Sequence, residues 1–198
     1  MPDVTYHFNA YVTPVWTNPG NIVDGDIETF AFTGAKKTEQ ALTGNNCPGT
    51  DLGTITKVEI RVFAYGDGDD HIQITPIFTG GNGNAHETTP VVDPGNWTPY
   101  VEITNDPNHP DWSLWSHIQT LDYIIEHDST GKANVMYASK VEIRVTYTPP
   151  PLPTVTIQPT SDIEETTATG NGNITVTGNE TCDKRGIVYG TSTQGDPE

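Results

Sequence analysis

Apolar and polar positions alternate with a period of two along much of this chain. The clearest case occurs twice: Lys-Val-Glu-Ile-Arg-Val fills 57–62 and again 140–145. Side chains alternate between the two faces of a strand, so Val58, Ile60 and Val62 share one face, and Lys57, Glu59 and Arg61 the other. The same holds for Val141, Ile143 and Val145 against Lys140, Glu142 and Arg144. The pattern predicts a buried apolar set and a charged set facing water. The first copy runs on into Phe63 and Tyr65, the second into Tyr147, all strand formers. Two half-buried strands with matched faces predict one antiparallel sheet, and they place 57–148 in a single folded unit.

Further strands follow between clusters of Gly, Pro, Asn and Asp. The pattern predicts them at 4–12, 30–33, 38–43, 55–65, 71–78, 101–104, 121–127, 135–137 and 140–148. In 71–78, Ile72, Ile74 and Pro76 fall on one face. Ser116-His-Ile-Gln119 has the spacing of a capping box and predicts a short helix at about 117–121. Nine or so antiparallel strands joined by long crossing loops predict an all-β fold, a jelly-roll-like sandwich of two sheets. It ends at Thr148-Pro149-Pro150-Pro151-Leu152-Pro153, whose proline run is a stiff spacer. The expected organisation is a sandwich over 1–148, a linker over 149–153 and a second domain over 154–198.

Three stretches resemble known modules. Trp115-Ser-His-Ile-Gln-Thr-Leu121 through Val141-Glu-Ile-Arg-Val-Thr-Tyr147 resembles the closing segment of jelly-roll modules in phage structural and bacterial surface proteins. Asp24-Gly-Asp-Ile-Glu-Thr29 is similar to the Asp-Gly-Asp-x-x-Thr turn of discoidin-like, galactose-binding sandwiches. Pro153-Thr-Val-Thr-Ile157, Ile163-Glu-Glu-Thr-Thr-Ala-Thr-Gly-Asn-Gly-Asn-Ile-Thr175 and Arg185-Gly-Ile-Val-Tyr-Gly-Thr-Ser192 are similar to bacterial fibronectin type III-like repeats. That resemblance implies a sandwich of seven strands and roughly 90 residues. Only the first part of such a repeat is present in 153–198. The expectation is that a longer modular protein continues the domain, or that a neighbouring subunit supplies the missing strands.

Composition narrows the function classes. The 26 acidic residues outnumber the 9 basic ones, for a formal net charge of −17. Such a field repels nucleic acid and anionic membrane surfaces, and it favours cations. Hydrophobic content of 33% is enough for a core and argues against disorder. No apolar run is long enough to span a bilayer, and Met1-Pro-Asp-Val-Thr-Tyr6 lacks the features of a secretory signal. Cys47 and Cys182 fall in different expected domains, so both are read as free thiols.

Candidate chemistry is sparse. Asp24, Asp26 and Glu28, with neighbouring carbonyls, form the first candidate Ca²⁺ site, because Ca²⁺ takes six to eight oxygens and such loops supply them. Asp67-Gly-Asp-Asp70 is a second. Against both stands the ordinary role of Asp-Gly as a turn. None of the six histidines falls in a zinc-binding spacing. Trp16, Trp97, Trp112, Trp115, Tyr100 and Tyr123 could stack on sugar rings. Trp112 and Trp115 read more simply as core anchors, which leaves Trp97 and Tyr100 as the candidate ligand-binding pair. Asn96, Asn173 and Asn179 begin Asn-x-Thr sequons, at a frequency that chance accounts for in a Thr-rich chain. No Gly-x-Ser-x-Gly, P-loop or Cys-x-x-Cys is present.

The expectation is therefore a non-enzymatic structural or adhesive component of a virion appendage or extracellular filament. Its partners would be copies of itself or other structural subunits. The alternative is a carbohydrate-binding module of a larger secreted enzyme or adhesin, recognising cell-surface carbohydrate. Neither reading involves nucleic acid or membrane insertion.

Overall fold

The structure, a computed structural model, describes residues 1–66, 69–88, 95–129, 131 and 134–178. The chain divides into two compact units, Met1–Pro149 and Pro150–Glu198.

The first unit is all-β. Its strands are β1 (Asp3–Tyr11), β2 (Ala31–Thr33), β3 (Thr38–Asn45), β4 (Thr54–Tyr65), β5 (Asp70–Phe78), β6 (Gly81–Asn82), β7 (His86–Glu87), β8 (Asn96–Trp97), β9 (Val101–Glu102), β10 (Asp122–Ser129) and β11 (Met136–Thr148). Two short helices interrupt them. A 3₁₀ turn covers Pro19–Ile22, and α1 covers Ser116–Gln119.

β1 joins the two halves of the antiparallel sandwich. Its first half, Asp3–His7, pairs with β11, and its second half, Phe8–Tyr11, pairs with β3. One side continues β1–β11–β4, with β2 on the far end of β11. The other continues β3–β10–β5. First and last long strands are thus neighbours, and one continuous core lies between the two sides.

The predicted apolar set builds that core. Val58, Ile60, Val62, Val141, Ile143 and Val145 are all 0% exposed. Ile72, Ile74 and Pro76 share the buried phase of β5 as predicted. The Tyr123 ring meets Phe8 edge-on at 4.9 Å. Trp112 and Trp115 are core anchors: each is buried, and each indole N–H donates to a backbone carbonyl, Thr104 at 2.9 Å and Gly53 at 2.8 Å. Trp16 is buried in the same way, so it offers no face to a sugar.

Two expectations are corrected. The capping box does not form. Ser116 is the first helical residue and makes no cap, while Gln119 Nε2 donates instead to the Cys47 carbonyl at 3.2 Å. The first amides are taken by the backbone instead, His117 N–H donating to the Leu114 carbonyl and Ile118 N–H to the Trp115 carbonyl at 3.1 Å each, and the Gln serves the tertiary fold. The charged set of the hexapeptides does not face open water either: Glu59 and Glu142 are buried, and their basic neighbours are half-buried.

Asp70, at the end of the second Asp-rich turn, is fully buried. Its Oδ1 lies 3.0 Å from Nε2 of the equally buried His127, whose Nδ1 faces the Ala35 carbonyl at 3.2 Å. That carboxylate is committed to the fold. Asp67 and Gly68 lie outside the described residues. Cys47 is a buried free thiol, and Cys182 lies outside the described residues.

Among the described residues, the second unit shows one hairpin, β12 (Thr154–Ser161) with β13 (Thr169–Val176), paired Val155↔Ile174 and Ile157↔Gly172. Residues 179–198, including the stretch 185–192, lie outside the described residues.

Truncating Ile60 or Ile143 to Ala leaves a cavity where the two hexapeptide strands meet the core, and should cost about 2–5 kcal/mol. Chemical denaturation of each variant checks this. A loss below about 0.5 kcal/mol, typical of surface sites, would contradict the packing.

Candidate functional site

The site begins with a register. β4 and β11 pair so that the two copies of the hexapeptide lie antiparallel over one another: Val58↔Val145, Glu59↔Arg144, Ile60↔Ile143, Arg61↔Glu142, Val62↔Val141. In an antiparallel pair, directly opposed side chains are the ones that interact. Lys-Val-Glu-Ile-Arg-Val read against its own reverse sets Glu opposite Arg at both ends of a central Ile. One hexapeptide is therefore complementary to a second copy of itself.

The resulting ion pairs are tight. Arg61 donates from Nε and Nη2 to Glu142 Oε2 at 2.9 and 2.7 Å. Arg144 reaches Glu59 Oε2 from Nε at 2.9 Å and Nη2 at 2.8 Å. Lys57 and Lys140 add contacts to the same two glutamates at 2.9 and 3.4 Å. The glutamate side chains keep only 8% and 10% of their exposure, so these pairs are less screened than surface salt bridges.

What covers them is the predicted aromatic pair. Residues 95–104 form a strap along the outer edge of β4. Tyr100 lies against both guanidinium groups, 3.7 Å from Arg144 Cζ and 4.4 Å from Arg61 Cζ. Trp97 lies 4.0 Å from Arg61 Cζ. Both rings are half-buried, and each spends a face on an arginine. The Tyr100 hydroxyl is held above its ordinary pKa mainly by burial, which outweighs the nearby Arg61 charge pulling the other way.

The aromatic surface continues on the same face. Positions 63 and 65 share the phase of 57, 59 and 61, so Phe63 and Tyr65 point outward beside the charges. Phe63 meets Trp97 edge-on at 5.4 Å. Tyr65 stacks on Tyr137 of β11 at 4.4 Å and 7°. Phe30 caps this pair, edge-on to Tyr65 at 5.0 Å, and Phe32 flanks Tyr137 at 5.8 Å. All of these rings are half-buried. The sequence reading singled out Trp97 and Tyr100 but took the arginines and glutamates as a solvated face. The signal that would have found them is the self-complementarity of the repeated hexapeptide.

The proposed cation loop lies before Phe30. Asp24, Asp26 and Glu28 are exposed, but two of the three carboxylates already act as turn acceptors. Asp24 Oδ1 accepts from the Asp26 amide at 2.9 Å, and Asp24 Oδ2 from the Thr29 hydroxyl at 2.6 Å. Asp26 Oδ1 accepts from the Glu28 amide at 3.0 Å. Gly25, at φ +83°, supplies the left-handed residue that the turn needs. Among the described residues no three His, Cys, Asp or Glu side chains converge as a metal site. A cavity of about 10 Å³, lined by Phe78, Thr79, Pro110, His117, Thr120 and Leu121, has room for one water molecule.

Comparison with known proteins finds no matching family model, no matching curated protein and no matching solved structure. The resemblances to phage and fibronectin-like modules rest on the residues quoted for them above.

A double-mutant cycle between Tyr100→Ala and Arg144→Met measures the clamp directly. A coupling energy of about 0.5–2 kcal/mol is expected for a partly desolvated cation–π contact. Additive losses would show that the ring rests on the arginine without being held by it.

Proposed function

We propose that this chain is a non-enzymatic structural or adhesive component of a virion appendage or extracellular filament, working through subunit and surface contacts. The observation that carries the reading is the hairpin of the second unit. Val155, Ile157 and Ile163 are 62%, 93% and 71% exposed. A two-stranded hairpin is marginal in water, and exposed apolar side chains on strands invite another chain. The occupant we assign is a neighbouring copy of the same protein. The acidic charge supports a setting away from nucleic acid and anionic lipid. Among the described residues no helix is long and apolar enough to cross a membrane.

Sedimentation velocity of the full chain tests this, with Val155→Asp and Ile157→Asp introduced together. The unmodified chain should form concentration-dependent assemblies that the double variant loses, with the melting of the 1–149 unit unchanged. Assembly that is indifferent to the two aspartates would remove the basis for the reading.

One observation favours a second reading, a carbohydrate-binding module. Phe32, Tyr137, Tyr65, Phe63 and Trp97 form a half-exposed aromatic row across the outer sheet face. A glycan array followed by calorimetry on any hit addresses it, using neutral glycans because the acidic field disfavours anionic ones. Binding should weaken at least tenfold in Trp97→Ala. An array without hits, or a hit unaffected by that change, would leave the row as packing alone.

A further inference from the structure

The strap over β4 is a poor partner for the edge that it covers. Val58 and Val62 turn their N–H and C=O groups toward it. Both carbonyls receive backbone donors, from Ile103 and Thr98, at 2.9 Å each. Neither amide finds a backbone carbonyl. Val58 N donates to the Thr104 hydroxyl and Val62 N to the Thr98 hydroxyl, both at 3.0 Å. The two regular bridges are only two residues long, β8 and β9, interrupted around Pro99, which has no N–H to give. The second bridge sets Glu102 directly opposite Glu59. Like charges in that position oppose pairing.

A better partner is already written into the edge. On its inner side, β4 pairs with a second copy of its own hexapeptide, Glu against Arg and Ile against Ile. We infer that β4 is also the docking edge for β4 of a second molecule, and that the strap is a latch which closes this edge in the isolated chain. The two strands would lie antiparallel about a two-fold axis through Ile60. Val58 and Val62 of one copy would exchange backbone bonds with Val62 and Val58 of the other. Glu59 would face Arg61 of the other copy in place of Glu102. This register uses the same N–H and C=O groups that now meet the strap, and it gives both amides a carbonyl. Tyr100 and Trp97, gripped by Arg61 and Arg144, hold the latch shut. The interface is isologous, the commonest geometry for a pair of identical subunits. The inference deepens the assembly reading above by naming a second surface of the same chain and its occupant.

The test uses the full chain carrying Val155→Asp and Ile157→Asp, which removes the hairpin contact proposed above, together with Trp97→Ala and Tyr100→Ala, which free the strap. Sedimentation equilibrium should show its mass doubled relative to the chain carrying the two aspartates alone at the same concentration. A folded variant that stays monomeric overturns the latch. The register is tested by mixing this variant with a mass-tagged version that also carries Glu59→Arg, Arg61→Glu, Glu142→Arg and Arg144→Glu. These swaps keep every pair complementary within a chain and between like chains, but set like charges together in a mixed dimer. Native mass spectrometry should show the two like dimers and no mixed one. Mixed dimers at the statistical proportion would place the contact elsewhere and overturn the proposal. Should that variant fail to fold, hydrogen exchange on the chain carrying the two aspartates and Tyr100→Ala alone, which loosens the latch without removing Trp97, decides. The Val58 and Val62 amides should exchange more slowly as concentration rises, and exchange that does not respond to concentration overturns the inference. Each of these failures leaves the hairpin test standing, since that test alters neither β4 nor the strap.

Discussion

The antiparallel pairing of β4 with β11 sets both faces of the sandwich with one register. On the inner side it lines up Val58, Ile60 and Val62 with Val145, Ile143 and Val141, and closes the core. On the outer side the same register sets Glu59 on Arg144 and Arg61 on Glu142, and carries Tyr65 onto Tyr137. A slip of one residue would send every apolar side chain to the wrong face. A slip of two would keep the core apolar but break both ion pairs. Hydrophobic burial therefore fixes the phase of the two strands, and the charges choose among the registers that burial allows.

That division of labour explains why the glutamates can be buried. A carboxylate that loses most of its water needs a partner with matching geometry, and a guanidinium opposite in the ladder supplies one. The arginines in turn give Tyr100 and Trp97 a charged surface to lie on. The outer face is thus a layer of aromatics held by arginines held by glutamates. A chain with so large an excess of acid concentrates its few basic side chains here: Lys57, Arg61, Lys140 and Arg144 all belong to this cluster.

The same edge bears on function. Sheet edges are where strand proteins find, or avoid, one another. Here the edge of β4 is covered by a strap whose hydrogen bonds are partly made by threonine hydroxyls, while the hairpin of the second unit leaves its apolar residues exposed. Both are strand surfaces of the kind that another chain can meet, and the assembly proposed above is built on them.

Much of the fold could be read from residues alone, because burial imposes a period of two that survives in the sequence. Val58, Ile143 and Ile72 announce their faces by alternation, and Trp112 and Trp115 announce a core anchor by size and spacing. The clamp was half legible. Trp97 and Tyr100 stood out as aromatics in a polar stretch, but nothing local to them indicates Arg61 or Arg144, which are distant in the chain. Asp24, Asp26 and Glu28 were legible as a turn rich in carboxylates. Only the hydrogen bonds of the folded loop reveal that Asp24 and Asp26 already serve the turn. Gln119 misled, since the capping spacing is a local signal and its side chain went to the Cys47 carbonyl. The sequence by itself determined which residues alternate, and that two identical hexapeptides could complement each other. Only the tertiary structure decided that they do so by pairing with one another, because partners far apart in the chain are chosen by the closing of the core, which no local pattern records.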